Sequence, residues 1–319
     1  MYHTISFRSM NTDVSAWLWS THQATALLAL REVECTFREA HTRFTRFEAT
    51  SELSALNAAA GQPFAASPDL FEVVERALRF SDMTSGLFNP AILGALEAAG
   101  YDRTFDAVKR DGDCCPQAPS APVMRPRVQM GADRRTITLP AGTRLDLGGI
   151  VKGWTVQRAA QQLSDCGSCL IDAGGDMMTF GTPPSESGWR IGVADPFDAR
   201  RDLITLRLRD TAVATSGTDR RRWIRNSVIQ HHLIDPRTGR PSESDLISVT
   251  VIAPTAVEAE VCAKTVFLMG SYEGMQFVER RPLLAALLVT RDGDVIPSSR
   301  LENYLDVHFV YNSSEILAA

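Results

Sequence analysis

The stretch Leu145-Asp-Leu-Gly-Gly-Ile-Val-Lys-Gly-Trp154 puts an apolar run, a Gly-Gly pair and a lysine side by side. It is neither a Walker loop nor a G-x-G-x-x-G fingerprint, which argues against both common nucleotide folds. Thr143–Leu147 reads as a short apolar strand carrying Asp146 near its end. Gly148 and Gly149 then free the backbone for close approach to a bulky group. Lys152 falls on the first turn of the next helix, read from Trp154 to Leu163 with the Gly-Gly turn opening it. Helix N-termini present unpaired N–H groups and partial positive charge to anions. An anionic ligand such as a pyrophosphate fits the stretch. A glycine-rich turn beside a solvated lysine fits it as well, and both readings stay open here.

Upstream, residues 5–20 read as strand, and a helix is expected from about His22 to Phe44. Its apolar residues Leu27, Leu28, Leu30, Val33 and Phe37 recur near helical spacing. A polar, Gly/Pro-punctuated loop around a short helix follows. Ser67-Pro68-Asp69 supplies an N-cap, a proline suited to N1 and a first-turn acid. Leu70, Val73, Val74, Ala77 and Leu78 form that helix's stripe, and Gly86 is its C-cap candidate. Residues 106–126 are polar and Pro-rich and read as a surface insertion.

Downstream, Cys169–Gly181 reads as a buried strand, a glycine turn and a second short strand. Further strands are expected at Trp189–Asp195, Leu203–Leu208, His231–Asp235 and Ser248–Ala253. A helix follows from about Ala256 to Met269, and LAALLVT and VIPS close the sheet. Helices mixed with runs of short strands, without regular βα alternation, indicate an α+β fold and not a Rossmann fold. The whole chain, 1–319, reads as one unit or two closely joined subdomains.

The 319 residues are 44% hydrophobic, enough for a sizeable core, and the formal net charge is -5. The basic surface typical of nucleic-acid binding is absent. No apolar run reaches the ~18 residues of a membrane span. The first residues do not read as a secretory signal, so a cytoplasmic location is expected, or a periplasmic one if a signal has been removed. The six cysteines include Cys166-x-x-Cys169 and adjacent Cys114-Cys115. They make a poor zinc set, and ordinary buried thiols are the better reading.

Several constellations can carry chemistry. In Asp172-Ala-Gly174-Gly175-Asp176, two aspartates flank a tight turn and can accept hydrogen bonds from hydroxyls or ring N–H groups. In His231-His232-Leu233-Ile-Asp235-Pro-Arg-Thr-Gly239, a His–Asp pair precedes a turn and suits acid–base work; structural histidines at a hairpin are the alternative. Glu258, Glu260 and Lys264 share a helix, with Glu260 and Lys264 four apart on one face. Arg220-Arg221-Arg222 can clamp phosphates or form a solvated charge run.

Taken in order, these motifs resemble the ApbE family of flavin transferases. The matching segments are Ser51–Asn57, SPDLFEVVERAL, TSGLFNPAI, AGYDR, LDLGGIVKG, LIDAGGD, ATSG, HHLIDPRTGRP and SVTVIAP. The resemblance implies an ApbE-like, T-fold-like architecture with largely antiparallel sheets and flanking helices. It implies FAD as substrate and magnesium at the pyrophosphate. The implied activity moves FMN from FAD to a threonine or serine hydroxyl of an acceptor flavoprotein, with release of AMP. Hydrolysis of FAD to FMN and AMP, or FAD binding without turnover, are the alternatives.

By the same resemblance, Met10 lines the flavin site, although Asn11 stands where the family usually has glycine. Phe47 contacts the nucleotide, and Ala99, Gly100 and Tyr101 contact FAD. Asp146, Lys152, Gly174, Gly175 and Asp176 contact the cofactor. His232 is the important histidine, with Leu233 beside it; from chemistry and position, not from the resemblance, His232 with Asp235 is expected to activate the acceptor hydroxyl. The magnesium set corresponds to the Gly149 carbonyl, Glu260, the Ala263 carbonyl and Lys264. The family usually reads Ala-Asp-Ala-x-Ala-Thr on that helix. Here Glu260 replaces the aspartate and Lys264 replaces the threonine oxygen, while Thr265 lies roughly 100° further around the helix. Either magnesium binds weakly through Glu260 and the carbonyls, or the Lys264 ammonium supplies part of its charge.

Overall fold

The computed structural model describes residues 1–108, 121–218, 222–225 and 228–306. Eight antiparallel strands form the main sheet: β1 (Tyr2–Ser9), β2 (Thr12–Trp19), β3 (Ser168–Ala173), β4 (Asp176–Phe180), β5 (Ala212–Gly217), β6 (Leu246–Ala253), β7 (Ala285–Thr290) and β8 (Val295–Pro297). They lie side by side in chain order, so the sheet is a meander into which the other elements are inserted. This is the α+β, largely antiparallel arrangement expected from the irregular alternation of short strands and helices.

Residues 5–20, read as strand, are a hairpin. Met10 and Asn11 carry positive φ of 51° and 58° at its two-residue turn. Paired positive φ is the hairpin geometry that matches strand twist, and asparagine tolerates it better than most residues.

Three long helices cover one face: α1 (Gln23–Phe44), α6 (Val151–Ser164) and α7 (Ala256–Met269); the short α4 (Leu93–Ala98) and α5 (Phe105–Val108) precede α6 in the chain. The core beneath them joins Leu30, Val33 and Phe37 to Val156, Ala160, Val251, Ala263 and Ala286. The alternate residues Leu170, Val213, Ile252 and Leu287 face the other way. There they meet a two-stranded ribbon, Trp189–Ala194 with Asp202–Leu208. The period-2 alternation of these strands is therefore used on both faces. The stripe of α1 is rotated from the expected one. Leu27 and Leu28 are exposed, and Ala26, Ala40 and Phe44 are buried with Leu30, Val33 and Phe37. Alanines complete a buried stripe that sequence hydrophobicity alone did not signal.

A second core is built around the Leu145–Trp154 stretch. Leu145, Leu147, Ile150, Val151 and Trp154 pack on α2 (Glu52–Ala58) and on Leu70, Val73, Val74 and Ala77 of α3 (Pro68–Met83). Ser51 and Ser67 cap α2 and α3 by accepting the Ser54 and Leu70 amides. The Gly86 amide reaches back to the Ser81 carbonyl with φ 88°, closing α3 in the manner of a Schellman turn. Thr143–Leu147 is not a ladder strand. The Asn57 side chain both donates to the Leu145 carbonyl (2.9 Å) and accepts its amide (2.7 Å), and Asp146 N donates to the Pro90 carbonyl. One side-chain amide does locally what a neighbouring strand would do, and this is the structural role of the Ser51–Asn57 motif.

Of the 106–126 segment, residues 109–120 lie outside the described residues, as do Cys114, Cys115, Arg220 and Arg221. Its exit is tied down, since Val123 N donates to the Pro236 carbonyl and Asn89 Nδ2 to the Val123 carbonyl. Among the described residues all four cysteines are free, and burial pushes the Cys169 and Cys262 thiols up to about 12. No helix among them is long and apolar enough to cross a membrane.

Candidate functional site

A cleft of about 790 Å³ opens where the two cores meet, between the β1–β2 turn, the end of α1, the Gly148–Gly149 turn and α7. That volume is in the range of small-molecule and cofactor sites. Its walls include Met10, Phe47, Tyr101, Asp146, Gly149, Lys152, His232, Leu233 and Lys264 from the sequence-derived set. These residues span the chain from the first hairpin to α7, and only the fold brings them together.

The Gly148–Gly149 turn leads into α6, whose N-cap residue Ile150 offers no side-chain cap. Glu260 of α7 fills that role from outside, as its Oε2 accepts the Gly153 amide at 2.7 Å. The other oxygen, Oε1, accepts from the Lys264 ammonium at 3.0 Å. Glu260 is 1% exposed, so it stands behind the cleft wall and holds Lys264 at its surface. Lys152, on the first turn of α6, forms an ion pair with buried Asp176, Nζ lying 2.9 Å from Oδ2. Two lysine ammoniums thus flank the glycine turn, each backed by a buried carboxylate. A lysine has three N–H donors, so each has donors beyond the one directed at its acid.

The opposite wall is aromatic and cationic. Arg46 Nε forms an ion pair with Asp146 Oδ2 at 2.7 Å, and its Nη2 donates to the Tyr101 carbonyl at 2.6 Å. Its guanidinium lies 4.2 Å from the Phe47 ring centroid and 4.8 Å from that of Tyr101. Tyr101 in turn leans on Trp223, whose indole N–H donates to the Ala99 carbonyl. Arg46 is absent from the sequence-derived set. Its separation of a hundred positions from Asp146 leaves no local signal, and beside Arg43 it reads as surface charge.

Other predicted residues stand behind the wall. Ala99 and Gly100 shape the turn that presents Tyr101, with Gly100 at φ 95°. Gly174 and Gly175 form the β3–β4 turn at positive φ, and the Asp172 carboxylate accepts the Gly175 amide. A Cβ on Gly174 would lie 2.0 Å from Thr12 Oγ1, so this glycine lets the turn pack against the first hairpin. Ala263 is fully buried in the α7 core.

His232 lines the cleft, whereas the Asp235 carboxylate is engaged by Arg237. Both Asp235 oxygens accept from the Arg237 guanidinium, one also takes the Arg237 amide, and the residue does not line the cleft. Asp235 shapes the DPRTG turn because an Asp two residues before an amide donor closes an Asx turn. His231 is buried, with Nε2 3.0 Å from the Ser242 carbonyl. Burial first, then the charge of Arg291, holds its imidazole below the ordinary value.

The magnesium set implied by the resemblance does not fit the residues present. Magnesium requires near-octahedral oxygen ligation. Lys264 offers an ammonium, both Glu260 oxygens are engaged, and no group of three or more His, Cys, Asp or Glu side chains able to hold a metal occurs among the described residues.

The ApbE family model matches residues 10–288. The chain belongs to the ApbE family. Among ApbE relatives, the FAD:protein FMN transferase of Treponema pallidum (strain Nichols) is 32% identical over 304 residues, covering 88% of this chain and 83% of the relative. The protein of the same name from Rhodobacter capsulatus is 29% identical and covers 89% of this chain, which spans only 54% of that relative. The crystal structure of the ApbE protein from Thermotoga maritima superposes with a TM-score of 0.83 at 22% identity, covering 96% of this chain and 99% of the other. At that identity the superposition establishes the ApbE fold.

Proposed function

We propose that this ApbE-family chain is an FAD:protein FMN transferase. Its relatives carry that name, and the cleft supplies suitable groups. The observation that carries the reading is the pair of ammoniums, Lys152 and Lys264, fixed by Asp176 and Glu260 on either side of the Gly149 turn. Charged donors held in place before the ligand arrives stabilise a diphosphate and the charge that develops when it is cleaved. Phe47, Tyr101 and the Arg46 guanidinium offer flat surfaces to a ring system.

In the proposed reaction the acceptor Thr or Ser hydroxyl oxygen attacks the phosphorus on the FMN side of the FAD diphosphate. The new O–P bond forms as the bond to the bridging oxygen breaks, and that oxygen leaves with AMP. His232 lines the cleft and takes the hydroxyl proton. Lys152 and Lys264 hold the phosphate oxygens in line, which lowers the entropic part of the barrier. No step is routed through magnesium, because the donor set does not fit it.

The test is incubation of the full chain with FAD and a flavoprotein domain carrying a D-G-x-T/S-G-A-T/S motif. Covalent flavin on the acceptor together with AMP is the expected result. Free FMN and AMP without acceptor modification indicates a pyrophosphatase. Bound FAD with no AMP indicates a non-catalytic flavin-binding protein.

A further inference from the structure

The diphosphate of a dinucleotide carries two negative charges, and something in the cleft has to meet them. On α7 the position facing the glycine turn is Lys264, and four observations fix what it can do. Its Nζ lies 3.0 Å from Glu260 Oε1, and Glu260 is its only partner among the described residues. The remaining ammonium donors have no acceptor among the described residues, and the residue lines the cleft with Lys152. Both oxygens of the carboxylate that holds it already accept an N–H, since Oε2 takes the Gly153 amide at 2.7 Å. The lysine stem passes over Gly149, where a Cβ would come within 3.6 and 3.7 Å of Lys264 Cδ and Cε.

The geometry is that of a cation built into the chain. A glutamate, one methylene longer than an aspartate, reaches both the α6 amide and the lysine one turn along its own helix. A divalent metal placed there would face the ammonium and would compete with it for Oε1 and with the Gly153 amide for Oε2. We infer that the Lys264 ammonium takes the place of a divalent metal against the diphosphate of the bound dinucleotide, so that FAD binding does not require magnesium. This rests on the reading that the cleft takes FAD. An ammonium differs from magnesium in two respects that can be measured: it cannot be removed by a chelator, and it is lost by a single substitution.

The experiment measures FAD affinity of the full chain by quenching of flavin fluorescence, in EDTA and in added magnesium. Wild-type affinity is expected to agree within about twofold between the two conditions, whereas a magnesium-dependent diphosphate site loses about tenfold or more on chelation. Lys264→Thr restores the oxygen at this position; it is expected to bind FAD about tenfold more weakly in EDTA and to recover with magnesium. Lys264→Arg keeps the charge and is expected to bind FAD without metal. Thermal melts of the ligand-free variants establish that each is folded, and the wild-type comparison needs no variant. A wild-type affinity that collapses in EDTA overturns the inference, as does a folded Lys264→Thr protein that binds FAD as wild type does in EDTA. Metal-independent FAD binding without flavin transfer leaves the inference standing and removes the transferase reading. No FAD binding in either condition removes both.

Discussion

Gly153 sits where α6 and α7 touch, and replacing it with alanine isolates what that contact contributes. A Cβ at this position would stand 2.5 Å from the Ala256 carbonyl oxygen and 2.8 Å from its carbon, with Glu260 Oε2 at 3.0 Å. The nearest obstacles are backbone, so no side chain can swing aside; the contact is about 1 Å short of ordinary van der Waals separation. The helices must part, which stretches the 2.7 Å hydrogen bond from the Gly153 amide to Glu260. Overpacking costs about 1–3 kcal/mol. Weakening a buried hydrogen bond to a charged acceptor costs a further ~1.5–3 kcal/mol. The better helix propensity of alanine offsets about 1 kcal/mol. The expected net loss for Gly153→Ala is about 1.5–5 kcal/mol, together with weaker FAD binding because the first turn of α6 carries Lys152. Urea unfolding followed by tryptophan fluorescence measures the first effect, and FAD titration the second. Gly94 is the control: it is helical and exposed, and nothing lies within 4 Å of its Cβ position. Gly94→Ala is expected to change stability by less than about 1 kcal/mol, in the stabilising direction. A Gly153→Ala protein as stable as wild type refutes the close α6–α7 contact.

Other outcomes follow from the same geometry. Asn57→Ala removes both bonds to the Leu145 backbone and is expected to cost about 1–3 kcal/mol and to weaken FAD binding, read by the same two titrations. His232→Ala is expected to lower the transfer rate by about a hundredfold or more with little change in FAD affinity, whereas Asp235→Asn acts on stability through the Arg237 turn. Equal loss of rate in both variants would restore a His–Asp pair. For His231 the folded state favours the neutral imidazole, so below the ordinary value of 6.5 the unfolded chain binds more protons. Its contribution to stability is therefore present above 6.5 and is lost as pH falls through the lower folded value. Urea midpoints between about pH 5 and 8 should show this decline in wild type and a flatter profile in His231→Leu.

Much of the scaffold is legible in local sequence. Ser67-Pro68 opens α3, and Ala256–Met269 is a helix with the bounds its apolar content suggested. Gly174-Gly175 stands where β3 turns into β4 and Gly148-Gly149 where the chain enters α6, because caps and glycine backbones act over a few residues. The exposed faces were harder to read. On α1, Leu27 and Leu28 look like core and are exposed, since alanines at helical spacing complete the buried stripe. A Leu145 segment with strand composition is held by one asparagine.

The site divides along the same line. The order of LDLGGIVKG, AGGD and H-x-x-DPRTG in the chain was enough to place it in its family and to nominate Lys152 and His232 as cofactor contacts, and the helix after SVTVIAP nominated Lys264 at the metal position. The partners of those residues could not be read from it. Lys152 meets Asp176, Arg46 meets Asp146, and Gly153 meets Glu260 across separations of 24, 100 and 107 positions. Such pairings depend on distance and direction in space, which local periodicity does not encode. They alone decide that Glu260 serves as a helix cap and lysine anchor, and that the cation at the glycine turn belongs to the chain itself.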